Sequence, residues 1–394
     1  MKGDTVKAAD KQYLAPIYNR FDAVLDHGKG ATCYDMDGKE YIDFTAGIGV
    51  NSLGFCDDGW VKAVTEQLSK LQHTSNLYYT QPDAQVGQIL CQRSGMEKVF
   101  FANSGAEANE GAIKVARKYG VDHYEGRRNK IITLVNSFHG RTITTLTATG
   151  QEGFHKNFGP FPQGFDYAIA GDMEDLKNKA DDATVAVMAE MIQGEGGVVP
   201  LQESYVKELA SFCKERDILL IVDEVQTGIG RTGKLFSYEY FGIQPDIVTL
   251  AKGLGGGLPI GAVLLGGKVA DTLHYSDHGS TFGGNPVACA GAVEILKRID
   301  EAFLDEVRQK GIYITDRVRK MPCVTGVTGR GLMLGVSLKE GLTSGQIVKE
   351  ALEAGLMLLT AKAKVRMLPP LTISDEEINK GLDILEKVLS AHNQ

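Results

Sequence analysis

The sequence lacks any C-x-x-C pair, any excess of positive charge, and any apolar run approaching the ~18 residues that cross a bilayer. Its six cysteines, at positions 33, 56, 91, 213, 289 and 323, are scattered. In a chain of this length that spacing reads as reduced thiols and excludes a disulfide or zinc framework. Lys and Arg number 42 against 50 Asp and Glu, a net charge of −8 with no block of like charges, which excludes a nucleic-acid surface or a basic membrane-docking patch. The opening MKGDTVKAADKQYLAP has neither the apolar stretch of a signal peptide nor an Arg-rich presequence, so a cytoplasmic location is expected. No fixed-period repeat and no low-complexity linker is present. What the chain does have is ordinary globular composition, 43% apolar and 23% charged over 394 residues, enough for two or three units of roughly 150 residues. It also has 47 glycines, about 12% of the chain against a usual share of about 7%. They cluster after apolar runs, where backbone must turn sharply or approach a ligand.

Short, nearly all-apolar runs recur through the middle of the chain: Val99–Phe101, Ile131–Val135, Val185–Ala189, Ile218–Val222, Ile247–Ala251 and Ala262–Leu265. Such runs predict strands buried on both faces of a mostly parallel sheet. Helical patterns alternate with them. In Ala106–Tyr119 the residues Ala112, Ile113, Ala116 and Tyr119 share a face and Gly120 reads as the cap, while Tyr205–Arg216 precedes the Ile218 strand. The last hundred residues differ. Asn285-Pro286 opens a helix through Leu296. Ser374-Asp375-Glu376-Glu377 is a capping box leading into a stripe of Ile378, Leu382, Leu385 and Leu389. This organisation predicts a large α/β domain over 46–280 and a smaller α+β domain formed by 1–45 with 281–394.

Three strand–loop junctions carry chemistry. Asn103-Ser104-Gly105-Ala106-Glu107 joins a strand to a helix, and such an N-terminus with its free N–H groups favours an anion. The Ile218 strand ends in Asp223-Glu224. A carboxylate there lies where open α/β sheets bind ligands, and Asp223 needs a cationic partner after five apolar residues, whereas Glu224 reads as facing solvent. The Ile247 strand ends in Lys252, followed by Gly253-Leu254-Gly255-Gly256-Gly257. Burial and nearby positive charge would lower the pKa of that lysine and make it a nucleophilic amine. Each alone has an ordinary explanation: a plain cap, a structural carboxylate, a snorkelling surface lysine. Together they match pyridoxal 5′-phosphate, which needs a lysine, an acid against its ring nitrogen and a helix N-terminus for its phosphate.

Over nearly its whole length the chain resembles the class III (subgroup II) pyridoxal-phosphate aminotransferases. The resemblance is carried by Asn103–Glu110, Asn136-Ser137-Phe138-His139-Gly140-Arg141-Thr142, Gln193-Gly194-Glu195-Gly196-Gly197, Asp223–Gly228, Ala251–Gly257, Ser280–Pro286 and Arg366–Thr372, in that order. It implies the fold-type I architecture and a homodimer with active sites at its interface. Lys252 would then be the covalent anchor of the cofactor and the proton shuttle, with Asp223 at the ring nitrogen. Phe138 would stack on the ring, Gln226 would lie by its phenolic oxygen, and Ser104, Gly105 and Ala106 would hold the phosphate, with Thr281 reaching it from the second subunit. Arg141 and, across the interface, Ser280 would bind the substrate's distal carboxylate. Arg366 would clamp the α-carboxylate of glutamate or 2-oxoglutarate and pair with Glu195 at other times. No metal is implied. His139 reads as structural, and Tyr18, Asn76 and Tyr78 as lining the entrance or merely packing.

The stretch from Phe138 through Thr149-Gly150-Gln151-Glu152 most resembles members that pass nitrogen from N²-acetyl-L-ornithine to 2-oxoglutarate in arginine biosynthesis. Transaminases of succinylornithine, ornithine, 4-aminobutyrate or an acyl-lysine precursor remain alternatives, as does an aminomutase, against which Arg366 counts. A cofactor-binding regulator would need a DNA-binding segment, and none is visible. Two departures stand out. Family members usually read Leu-Gly-His-x-His-Pro where this chain has Leu53-Gly54-Phe55-Cys56-Asp57-Asp58, and Glu-Pro where it has Glu190-Met191. Both leave room for change near the entrance.

Overall fold

In the computed structural model, which describes residues 3–393, the expected apolar runs form a seven-stranded sheet. In chain order its strands are β1 (Lys98–Ala102), β2 (Lys130–Leu134), β3 (Phe165–Ala168), β4 (Thr184–Ala189), β5 (Leu219–Asp223), β6 (Ile247–Leu250) and β7 (Gly261–Leu265). They lie side by side as β1-β7-β6-β5-β4-β2-β3, and only β7 runs antiparallel to its neighbours. Six therefore point one way, and their carboxyl ends share one edge, the place where α/β sheets collect ligands. Strands β4 and β5 are buried at every residue, which is why their sequences are apolar without alternation.

The helix expected from Ala106 runs over Gly105–Tyr124, straight through Gly120. The chain leaves it at Glu125, in the left-handed region, with its N–H donating to Gly120 O. Gly120 thus serves packing and not capping: a Cβ there would sit 1.8 Å from Arg128 O. The two later helices match the local signals. Asn285 Oδ1 accepts from Val287 and Ala288 N–H at the head of Pro286–Arg298, and the Ser374–Glu377 box closes reciprocally at the head of Asp375–Ser390. Ile378, Leu382, Leu385 and Leu389 are all buried, each worth roughly 1.5–3 kcal/mol, which fixes the C-terminal helix to its own core.

That second core joins distant parts of the chain. Ala31, Ile42 and Phe44 from the N-terminal arm pack with Val307, Leu334, Val365 and the C-terminal helix. Around it lie two four-stranded sheets, one of Leu25–Lys29, Thr32–Asp35, Glu40–Asp43 and Leu356–Met357, the other of Val324–Arg330, Met333–Leu338, Lys364–Met367 and Leu359–Ala361. Helix Pro286–Arg298 does not belong there. Its Ala288, Cys289, Ala292, Ile295 and Leu296 pack into the core of the large sheet. We therefore propose a domain boundary after Arg298 and not at 280. All six cysteines are free, and no described helix is long and apolar enough to cross a membrane.

Candidate functional site

A cavity of about 400 Å³ opens at the carboxyl edge of the large sheet, walled by the loops that leave β1, β2, β4, β5 and β6. Lys252 and Asp223 both line it, as do Ser104, Gly105, Ala106, Phe138, Arg141, Glu195 and Gln226. Residues from five separate segments thus meet in one space, although neither Thr281 nor Ser280 lines it within the single chain. Thr281 is exposed, and Ser280 stands behind the wall, its Oγ accepting from Asn103 Nδ2 at 3.1 Å.

Asp223 ends β5 at the floor of the cavity and is 3% exposed. Its Oδ2 accepts from Asn109 Nδ2 and from His139 Nδ1, both at 2.8 Å, and its Oδ1 accepts from Val225 N–H at 3.0 Å. His139, read from sequence as merely structural, is therefore a direct partner of the key carboxylate. Burial alone would lower its pKa, but the hydrogen bond and charge of Asp223, with the charge of Glu190, raise it. Asn109 also donates to His139 O at 2.7 Å, which closes a three-residue frame. The available signal for Asn109 was a polar residue on the apolar stripe that continues through Ala112, Ile113 and Ala116.

Lys252 follows β6 at the first position of a short 3₁₀ turn, with φ +42°. A lysine in the left-handed region is strained, and such strain persists where the surroundings over-determine it. Its pKa is lowered, first by burial and secondarily by Arg366, against the opposing charges of Asp223, Glu195 and Glu190. The glycines that follow serve the protein more than a ligand. A Cβ on Gly253 would meet Ser52 Oγ at 2.7 Å, and one on Gly256 would meet the Ile295 side chain at 2.7 Å. Ser52 Oγ and Trp60 Nε1 donate to Gly253 O and Gly255 O, so this loop is locked beneath the lysine.

At the other end of the cavity Ser104 caps helix Gly105–Tyr124, its Oγ accepting from Glu107 N–H at 3.2 Å. The Glu107 carboxylate reaches past the cap to Asn103 N–H at 2.7 Å. Gly105 and Ala106 N–H donate to no described residue, as expected for a helix's first turn. A Cβ at Gly105 would collide with Val225 Cγ1 at 2.7 Å, so only glycine leaves this end open. Free N–H donors, an aromatic wall, a buried carboxylate and a lysine of depressed pKa fit pyridoxal phosphate. The buried and unpartnered Nε2 of His139 and Oδ1 of Asn109 mark the same floor as unfinished polar surface.

Arg366 comes from the other sheet, on strand Lys364–Met367, and is 3% exposed. Its Nη1 donates to Glu195 Oε1 at 2.5 Å and to Gln226 Oε1 at 3.3 Å. Gln226 in turn lies against Gly194, where a Cβ would be 2.4 Å from its Oε1. Arg141, by contrast, is exposed and lies over the rings of Phe138 and Phe154. Two carboxylates were underread from sequence. Glu190 is buried, accepts from Phe138 and Gly194 N–H, and has its pKa pushed up by that burial. Glu224 does not face solvent: Ser237, Thr227 and Tyr238 N–H all donate to it, and burial carries its pKa to about 7.

Neither Leu53–Asp58 nor Met191 lines the cavity, although Glu190, next to Met191, does. Asp57 caps helix Asp58–Leu68 and pairs with Arg298 at 2.8 Å, while Met191 is buried in the large core. Tyr18 and Tyr78 are exposed and away from the cavity, and Asn76 pins the Ser280 loop by donating to Ser280 O and Gly283 O.

The family model for class-III aminotransferases matches residues 13–389. A protein from Haemophilus ducreyi named acetylornithine aminotransferase is 53% identical over 99% of this chain and 100% of its own length. The crystal structure of an N-acetylornithine aminotransferase from Stenotrophomonas maltophilia superposes with TM-score 0.83 at 38% identity, covering 98% of each chain. An ornithine aminotransferase from Toxoplasma gondii, described with partial occupancy of PLP at its active site, gives TM-score 0.93 at 35% identity over 98% of this chain and 94% of that one.

Proposed function

The chain belongs to the class-III aminotransferases, and from that premise we propose that it converts N²-acetyl-L-ornithine and 2-oxoglutarate to N-acetyl-L-glutamate 5-semialdehyde and L-glutamate, a step of arginine biosynthesis. One observation carries the choice of substrate class: the site has two arginines in opposite states, Arg366 buried and neutralised by Glu195, Arg141 exposed and without an ion pair among the described residues. A substrate whose only carboxylate lies far from its reacting amine suits that resting arrangement. Glutamate, which reacts at its α-amine, needs the inner arginine instead.

Pyridoxal 5′-phosphate, the cofactor of this family, supplies when bound an electron sink for the substrate carbon and a carrier for the nitrogen. Gly105 and Ala106 N–H, beside Ser104, would hold its phosphate by hydrogen bonds and the positive end of the helix. Phe138 and Gln226, which line the cavity, would hold the ring from one face and from its phenolic edge. Asp223, steadied by Asn109 and His139, would hold a proton at the ring nitrogen. Lys252 would anchor the cofactor covalently and would move the proton at the substrate carbon, a role that its depressed pKa favours. Arg141 receives the distal carboxylate of acetylornithine while Glu195 occupies Arg366. In the second half Glu195 withdraws and Arg366 binds the α-carboxylate of 2-oxoglutarate in the bidentate manner that a planar guanidinium favours.

The reading includes a homodimer, whose second subunit brings Ser280 and Thr281 to the site. Support comes from apolar side chains left on the surface next to that loop and the 68–79 segment: Leu77 at 82%, Tyr78 at 72% and Phe282 at 61% exposure. It also includes a cytoplasmic setting, with which six free thiols agree.

A panel of amines with 2-oxoglutarate as acceptor tests the substrate. Acetylornithine should give the highest kcat/KM, ahead of succinylornithine, ornithine and 4-aminobutyrate; a higher value for any of these three would replace it as substrate. Asp223→Asn should still bind cofactor, because the helix N-terminus and Lys252 remain. It should slow both half-reactions by roughly tenfold to a hundredfold, since a hydrogen bond to a charged group contributes about 1.5–3 kcal/mol. Single-turnover mixing reads this, and unchanged rates would mean that the carboxylate has no electronic role.

A further inference from the structure

Arg141 is held by aromatic rings and by no polar group. Its guanidinium carbon lies 4.1 Å from the centroid of Phe154 and 5.5 Å from that of Phe138. The two rings meet edge to face, with centroids 5.8 Å apart and planes at 77°. Arg141 makes no hydrogen bond or ion pair with any described residue, so all five of its N–H donors are available to a ligand. An exposed arginine without such a platform samples many rotamers, and ordering it on substrate binding costs affinity. The platform itself is anchored. Phe154 sits in the single turn Glu152–His155, where His155 Nε2 donates to Leu146 O and Thr149 O at 2.8 Å each. Gln151 Nε2 donates to Ser137 O at 3.0 Å and so ties that turn to the residue beside Phe138.

We propose that Phe154 is a positioning residue that sets the preference for amines bearing a distal carboxylate, by stacking on Arg141 and holding its guanidinium ready. The inference rests on the reading of Arg141 as the distal-carboxylate site, and it assigns to Phe154 a role that acts through Arg141 alone. A cation on an aromatic face is stabilised by an amount equivalent to about three- to thirtyfold in affinity at a partly exposed site.

The test compares acetylornithine with N-acetylputrescine, the same chain without its carboxylate, in the holoenzyme. Phe154→Leu should lower the ratio of the two kcat/KM values by about three- to thirtyfold, the loss falling on KM for acetylornithine, and Phe154→Tyr should restore it. Calorimetry with N-acetyl-L-norvaline, which keeps the carboxylate and lacks the distal amine, should show the same weakening in Kd without any turnover. Phe154→Met keeps the bulk, loses the aromatic face and gives the same answer if the leucine variant is unstable. Arg141→Ala should abolish the preference, and adding Phe154→Leu to it should change nothing further. A preference that survives Arg141→Ala sinks the carboxylate assignment and this inference with it. A preference lost in Arg141→Ala but intact in Phe154→Leu and Phe154→Met overturns the role of Phe154 alone. So does a further loss in the double variant, because the ring would then act on the fold and not through the arginine.

Discussion

Lys252→Ala is expected to lose nearly all turnover, and its cofactor should come away on dialysis where the wild-type cofactor stays. Three features of the site make this the largest single effect. Lys252 is the one lysine among the described residues that line the cavity, so no neighbouring amine can take its place. The backbone holds it at φ +42° over a glycine loop locked by Ser52 and Trp60, an arrangement that alanine inherits without gaining any function from it. Its pKa, lowered by burial, favours the free amine that proton removal from the substrate carbon requires. Loss of that proton transfer alone is worth roughly 10²–10⁴ in rate, and loss of the covalent anchor adds to it. Steady-state turnover with acetylornithine and 2-oxoglutarate measures the effect, and a variant retaining a tenth of wild-type activity would contradict it.

Arg366→Ala is expected to divide the reaction. The guanidinium is almost wholly desolvated, pairs with Glu195 at 2.5 Å and touches Gln226. Removing one partner of such a pair costs roughly 2–5 kcal/mol, much of it from the charge left behind, and each ~1.4 kcal/mol is tenfold. The 2-oxoglutarate half-reaction, in which Arg366 binds the α-carboxylate, should therefore slow about thirtyfold or more. Acetylornithine presents no carboxylate at that position, so its half should slow less; the residual loss comes from an unpaired Glu195 and a loosened Gln226. Stopped-flow traces of the two halves, recorded separately, check the split. Equal losses would mean that the two ends of the site are assigned the wrong way round.

What could be read from sequence follows from where each signal is local. Five of the seven central strands announce themselves because they lie inside the sheet, buried almost throughout and so nearly all apolar, and the edge strand Lys98–Ala102, though only partly buried, is legible from its apolar run Val99–Phe101. The seventh, Phe165–Ala168, lies at the sheet's edge, is only partly buried along most of its length and carries Asp166, which erases that signature. The small sheets are less legible still. Leu356–Met357 is two residues long and pairs with Glu40–Asp43, more than 300 residues earlier in the chain, so no window of sequence contains the evidence for it. Gly120 shows the opposite error: a glycine at the end of a helical pattern looks like a cap, but the close approach of Arg128 was the reason for it.

The site divides in the same way. Lys252, Asp223 and the Ser104 turn stand at strand ends and could be found from burial patterns alone. Arg366 and Glu195 could be paired only through the family resemblance, because they meet across two sheets. His139, Asn109 and Glu190 were missed as participants because their importance lies in what they touch: Asp223 for the first two, the backbone of Phe138 and Gly194 for the third.

The central claim is that these junctions together form one pyridoxal-phosphate site anchored on Lys252. Borohydride reduction of the purified holoenzyme converts a lysine–cofactor link into a stable secondary amine, and digestion with peptide mass mapping then locates it. The account predicts a single pyridoxyl adduct on the peptide that carries Lys252. An adduct on any other lysine, or none in active protein, would contradict it.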